Sequence, residues 1–198
     1  MPDVSEDERQ HWDQRYASGE YRPRSWPTAL LEQWIPRFRS GRALVIACGT
    51  GRNALYIAEH GFGVTGVDIS EVAIERASQE ARARRLDVEF VVADIDEFVP
   101  EGAFDLITVI RYRNRELWPR LVNALTPDGW ILAEHHMKTR ADVAGPSSPA
   151  FRLDPGELLR EFEGLRIVHY SETIELADDE ESTYAIQRAV ACNGDPGW

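Results

Sequence analysis

The sequence predicts an α/β fold on a mostly parallel sheet, and three observations carry that reading. From Ala43 onward, short apolar runs alternate with amphipathic stretches of helical period, the pattern of βαβ units. The first apolar run enters a glycine turn, Gly49-Thr50-Gly51, that opens a helical stretch. The second ends in a carboxylate, Asp68, at the kind of strand end outside which open α/β sheets bind their ligands.

Each element follows in order. Residues 1–40 interleave Trp12, Tyr16, Tyr21, Trp26 and Trp34 with proline and charge. They read as a helical cap folded onto a domain of residues 41–198, the whole forming one compact body, as 198 residues allow at about 100 to 200 residues per domain. Strands are expected at Ala43–Ala47, Val64–Val67, Val88–Val92, Leu106–Ile110 and Trp130–Glu134, with helices at Arg52–His60, Glu71–Arg85 and Glu116–Leu125. Ser70 is placed to cap the helix from Glu71, whose Val72, Ala73 and Ala77 recur at helical spacing. Ala141–Ala150, rich in Gly, Pro and Ser, reads as a loop, and Asp154-Pro155-Gly156 as the start of a helix reaching Phe162, with Asp at the cap and Pro in the first turn. Leu165–Thr173 and Thr183–Cys192 are β-like runs suited to an antiparallel pair at a sheet edge.

Composition narrows the function. A net charge of −12 with 22 basic residues disfavours nucleic acid as a partner, because phosphate backbones are bound by clustered Lys and Arg. No apolar run approaches the roughly 18 residues of a membrane span, and the N-terminus lacks the apolar region of a signal peptide. Cys48 and Cys192 stand far apart in apolar contexts and read as buried thiols of a reducing compartment. The expectation is a cytoplasmic protein, monomeric or homodimeric, acting on a small molecule. No H-E-x-x-H, paired Cys motif, P-loop lysine or nucleophile elbow is present, so metal, nucleotide and serine hydrolysis find no support, and no metal is expected.

The run Leu44-Val45-Ile46-Ala47-Cys48-Gly49-Thr50-Gly51-Arg52-Asn53-Ala54 is a buried strand entering a turn where glycines let the backbone take positive φ and approach a ligand. Gly49, Gly51 and Ala54 also satisfy the dinucleotide fingerprint, so this loop alone leaves nicotinamide cofactors and S-adenosylmethionine both open. Asp68, 17 residues beyond Gly51, can accept from two ribose hydroxyls under either reading. Asp94, after the third apolar run, is placed to receive an adenine amino group and tips the balance.

With these residues in view, the chain resembles the class I S-adenosylmethionine-dependent methyltransferases over nearly its whole length. Val64–Ser70 looks like their ribose-binding strand end, Ala93–Ile95 like their adenine loop, Phe104–Ile110 like their fourth strand and Leu125–Trp130 like their L-x-P-G-G turn, with Asp128 for the first glycine. Trp12, Asp13, Arg15, Tyr16 and the run Ala47–Ala54 resemble the small bacterial tellurite-resistance and thiopurine methyltransferase type. The resemblance implies a Rossmann-like three-layer sandwich, with seven strands ordered 3-2-1-4-5-7-6 and strand 7 antiparallel. It further implies S-adenosyl-L-methionine as cofactor, bound by Ala47, Cys48, Gly49, Gly51, Asn53, Asp68, Ile69, Asp94, Ile95 and Arg111. Two departures stand out: Val45 where the family often has an acid, and Ala47 where it often has glycine.

For the acceptor side, Arg111 and Tyr112 follow the fourth strand and, with Arg113, Arg115 and Arg120, suit either an anionic substrate or a solvated face. His135 and His136 end the fifth strand on opposite sides, so at most one enters a pocket. The catalytic candidates are thus Arg111, Tyr112 and His135, each also readable as structural. Trp12 and Tyr16, four apart, suit a lid over the cofactor or a hydrophobic anchor. The leading expectation is methyl transfer to a thiol, chalcogenide or other small nucleophile. An S-adenosylmethionine-binding protein without turnover, suggested by Val45, and an NAD(P)-dependent oxidoreductase are the rivals.

Overall fold

A computed structural model describes residues 4–19, 21, 24–177 and 181–197. Its strands are β1 (Arg42–Ile46), β2 (Gly63–Asp68), β3 (Val88–Val92), β4 (Phe104–Ile110), β5 (Leu125–His136), β6 (Arg166–Leu176) and β7 (Thr183–Cys192). They form one sheet in the order β3-β2-β1-β4-β5-β7-β6, with β1 to β5 parallel and β7 antiparallel to both neighbours. The two C-terminal runs pair as expected, β7 lying inside the sheet and β6 at its edge.

Six α-helices among the described residues flank the sheet: α1 (Val4–Ser18), α2 (Ala29–Trp34), α3 (Arg52–Glu59), α4 (Glu71–Arg84), α5 (Leu117–Asn123) and α6 (Glu157–Glu161). Successive strand residues face opposite layers. Leu44, Ile46, Ile107 and Ile131 pack with Leu117, Leu121 and Leu158 of α5 and α6, whereas Ala43, Val45, Leu106 and Leu132 pack with Leu30, Trp34, Ala54 and Ile57 of α2 and α3. Burial on both faces explains why the central strands read as continuous apolar runs.

The described residues before β1 behave in two ways. α2 delivers Leu30, Leu31 and Trp34 into the core, whereas α1 lies against α4 and fixes it through Asp13. The Asp13 carboxylate accepts from Ser70 Oγ at 2.6 Å and from Val72 N at 3.2 Å. Ser70 in turn caps α4 by accepting from Ala73 N at 3.1 Å.

Two boundaries stand out against expectation. β5 begins at Leu125, five residues before Trp130, because Leu125 pairs with Phe104 and Trp130 with Leu106, the intervening turn forming an irregularity within the pairing. Asp128 there holds φ 62° and is tied to the C-terminal segment by its N–H to Asn193 O at 2.8 Å. At α6 the cap is Gly156, not Asp154. The Asp154 side chain instead accepts from Lys138 and Arg115, while Glu157 reaches back to Asp154 N at 2.7 Å. No helix among the described residues is long and apolar enough to cross a membrane.

Candidate cofactor and acceptor site

The carboxyl ends of β1 and β2 build one wall. Cys48 N donates to Val67 O at 3.0 Å, which fastens the glycine turn to β2. Gly49 and Gly51 take φ values of 55° and 85°, and Gly51 is the N-cap of α3. Ala47 holds φ 50°, a left-handed conformation that disfavours a β-carbon, so the residue where the family often has glycine does lie in glycine's conformational region. Cys48 is buried, and burial pushes its thiol well up, which leaves it a packing group.

Asp68 spans the wall. Its Oδ2 accepts from Gly49 N at 2.7 Å and its Oδ1 from Ser70 N at 3.0 Å. Burial raises its carboxyl above the ordinary value against the pull of the Ser70, Gly49 and Ile69 amides. A carboxylate has about four acceptor positions, so these two bonds leave capacity for two hydroxyl donors. Tyr16 covers this corner: it is 5% exposed, and a β-carbon at Gly49 would lie 2.7 Å from its hydroxyl. Trp12 and Tyr21 pack against Tyr16, with ring centroids 6.0 and 5.3 Å away. Burial, then the Asp68 charge, holds the Tyr16 phenol well above its usual range, so it stays protonated.

The β3 end lies beside it, since Ala93 N donates to Asp68 O at 3.0 Å. Asp94 is half-buried, with Oδ1 accepting from Asp96 N at 2.8 Å, and Ile95 is buried in the core. Ile69 is half-buried at the β2 end. Tyr112 belongs to this corner rather than to an acceptor wall: its hydroxyl donates to Asp96 Oδ1 and, buried beside that charge, its phenol is held well above the usual range. It is therefore unsuited to act as a base near neutrality.

One expected position, Asn53, and one departure, Val45, are engaged elsewhere. Asn53 is buried and its Oδ1 accepts from Thr28 N at 2.9 Å, so this group ties α3 to the N-cap residue of α2. Val45 is buried among the α2 and α3 contacts, and its partner across the strand pair, Thr108, has a buried hydroxyl without a partner.

The β4 and β5 ends form the second wall. His135 and His136 do face opposite layers, and the structure puts His136, not His135, beside Arg111. His135 Nδ1 lies 3.0 Å from His136 O on the side of Arg113 and Glu157. Arg111 Nη1 is 2.6 Å from His136 Nε2, its Nε and Nη2 are 3.3 Å from Glu134 Oε1, and its guanidinium lies 4.9 Å from the Tyr184 ring. Burial brings both histidines down, His135 to about 4 and His136 to about 3. Such weak bases are poor proton acceptors near neutrality.

Arg113, Arg115 and Arg120 are spent on structure. Arg113 and Arg115 pair with Glu157 at 3.2 and 2.9 Å, and Arg120 donates to Phe98 O and Asp96 O. Arg152, which the sequence did not single out, donates to Pro146 O at 2.8 Å and Ala144 O at 3.2 Å. It thereby holds the Gly-Pro-Ser loop over His136. Glu134 is shared with Arg188, at 2.8 Å.

Comparison with known proteins extends this geometry. Residues 43–129 match a family model described as a methyltransferase domain. A protein of Geobacillus sp. (strain WCH70) that carries a provisional methyltransferase name is 32% identical over 129 residues, 60% of this chain and 52% of the relative. The trans-aconitate 2-methyltransferase of Rhizobium rhizogenes (strain K84 / ATCC BAA-868) is 30% identical over 144 residues, 65% of this chain and 55% of the relative. The chain spans about half the length of these curated relatives. TehB from Haemophilus influenzae has the same fold, with a TM-score of 0.75 at 20% identity over 91% of this chain and 66% of that one. Residues 43–129 thus resemble a methyltransferase domain in sequence, and the chain shares the fold of TehB over most of its length.

Proposed function

We propose that the chain binds S-adenosylmethionine across the β1 and β2 ends and transfers its methyl group to a small molecule. The observation that carries this reading is Asp68, a buried carboxylate held by Gly49 N at 2.7 Å with acceptor capacity left over, beside a turn that rejects a β-carbon. These features fit a nucleoside: Asp68 would take the ribose hydroxyls, Asp94 and Ile95 the adenine, and Ala47 to Gly51 the methionine side. Tyr16, backed by Trp12, would lid the glycine turn, as part of a cap of residues 1–40 on the domain of residues 41–198.

When bound, the cofactor supplies an electrophilic sulfonium methyl. The chain contributes alignment and exclusion of water, which for well-placed reactants are worth up to roughly 7 to 11 kcal/mol. α1 roofs the cofactor side and the loop held by Arg152 roofs the acceptor side. A small acceptor fits this enclosure and the net charge of −12. It also accords with the name of the Rhizobium relative. Action in the cytoplasm belongs to the same reading.

The test is product formation: the chain with S-adenosylmethionine and a panel of thiols, selenite, tellurite, carboxylic acids and phenols should yield S-adenosylhomocysteine with at least one acceptor. Val45 favours one rival, cofactor binding without turnover, because a buried apolar side chain cannot answer the methionine ammonium. Tight binding with no product across the panel would select that rival.

A further inference from the structure

Asp68 is shut in by the helix that precedes the sheet: it is 7% exposed, and Tyr16, which covers it, is 5% exposed. A carboxylate that is to accept from two ribose hydroxyls must be reached from outside, so one of the elements around it has to give way. β1 and β2 each pair with a strand on both sides, and α3 and α4 deliver Ala54, Ile57 and Ile74 into the core. α1 has no comparable anchor, because Tyr16 alone among its described side chains is buried. Segments with few buried apolar contacts open at the lowest cost. Gly19 follows α1 at φ 74°, and a β-carbon built there would meet nothing within 4 Å, so the chain turns at that point without a packed side chain to resist it.

Besides Tyr16, what holds α1 against the domain is polar, and it converges on Ser70. The Asp13 carboxylate accepts from Ser70 Oγ at 2.6 Å and from Val72 N at 3.2 Å. Val72 N belongs to the first turn of α4, whose amides lack partners within their own helix and favour an anion. Arg9 also pairs with Glu71, at 3.5 Å, but an exposed pair of this kind contributes little. Ser70 itself is fully buried, and its N donates to Asp68 Oδ1 at 3.0 Å. One residue thus touches α1 through its hydroxyl and the ribose carboxylate through its amide.

We propose that α1 gates the cofactor cleft and that Asp13 is its latch, a positioning residue that holds Tyr16 over Asp68 by way of Ser70. The inference rests on the reading above that Asp68 binds the ribose of the cofactor. The Asp13 contacts lie on the α4 side of Ser70, away from the ribose oxygens, so they form in the shut cleft whether it is empty or filled. The latch then slows entry and escape alike. Entry is limited by the fraction of chains that stand open, and a shut complex has to release the same contacts before the cofactor leaves. Loss of the latch speeds both rates and leaves affinity nearly unchanged, whereas loss of an ordinary binding contact changes mainly the dissociation rate.

The experiment is surface plasmon resonance of the immobilised full chain with S-adenosylhomocysteine, which reads both rates. Asp13→Ala should raise the association and dissociation rate constants each about tenfold, a change of about 1.4 kcal/mol in the opening equilibrium, with Kd within threefold of wild type. Asp13→Asn keeps one acceptor and should raise both about threefold; it carries the test by itself if Asp13→Ala does not fold. If either folded variant leaves both rates unchanged, or speeds dissociation alone, the latch is overturned and the methyl-transfer reading stands. Absence of S-adenosylhomocysteine binding to a folded wild type would remove both.

Discussion

Replacing Asp68 with alanine acts on binding and on stability by separable amounts. For binding, the proposed ribose role makes the expected loss two charge-assisted bonds from hydroxyls at about 1.5–3 kcal/mol each, or about 3–6 kcal/mol together. At about 1.4 kcal/mol per decade this is a fall in affinity of roughly 10²- to 10⁴-fold. For stability, Gly49 N and Ser70 N lose acceptors at 2.7 and 3.0 Å, each worth about 1–3 kcal/mol when buried. Part of this is returned, because burial raises the Asp68 carboxyl, so its ionised form is disfavoured in the fold relative to the unfolded chain. The net expectation is a loss of about 1–4 kcal/mol at neutral pH. The sign with pH follows: a raised folded pKa favours the fold at low pH, and that contribution fades as pH rises through the folded value. Calorimetry with S-adenosylhomocysteine and urea unfolding at pH 7 check the two parts, with Asp68→Asn as a shape-conserving control. An Asp68→Ala protein that folds and binds within threefold of wild type would refute the assignment of Asp68 to the ribose.

Three further outcomes follow from the same geometry. Gly49→Ala should strain a residue at φ 55° by about 1–2 kcal/mol and drive its β-carbon to 2.7 Å from the Tyr16 hydroxyl. At roughly 2–4 °C per kcal/mol, melting should fall by several degrees, and Tyr16→Phe in the same chain should restore part of it. The buried histidines, held at about 4 and about 3, bind fewer protons folded than unfolded between those values and about 6.5. Stability is therefore full above pH 6.5 and declines as pH falls, by about 2 kcal/mol per histidine at pH 5. Urea midpoints at pH 7.5 and 5 measure the decline, which His136→Gln should roughly halve. Arg152→Ala removes donors to Pro146 O and Ala144 O, so hydrogen exchange in residues 140–148 should quicken about tenfold while β1 to β4 stay protected.

Local rules reached the scaffold because it is local in origin. Period-two and period-3.6 patterns located the strands and most helices, and Ser70 could be read as a cap from its position before Glu71. The Asp154 cap failed because tertiary partners, Lys138 and Arg115, take that carboxylate and leave Gly156 to start the helix. β5 starts earlier than its apolar pattern predicts because Asp128, which resembles a turn residue, is tied to Asn193 and Asp195 and pairing begins at Leu125.

At the site, the glycine turn and Asp68 were legible because backbone conformation and strand ends are written in consecutive residues. What each polar side chain touches was not. Asn53 serves Thr28, Tyr112 turns to Asp96, and Arg113 and Arg115 go to Glu157, contacts spanning 16 to 44 positions. Alternation along β5 showed that the two histidines diverge. Only the position of Arg111 shows that His136 is the one beside it. Arg152, which holds the loop over that histidine, comes from a separate segment that no spacing rule joins to it.

The most direct test of the central claim is calorimetry of the wild-type chain with S-adenosylhomocysteine beside NAD and NADP. The expected result is saturable one-to-one binding of S-adenosylhomocysteine and none of either dinucleotide. A folded protein that ignores S-adenosylhomocysteine, or that binds a dinucleotide in its place, would contradict it.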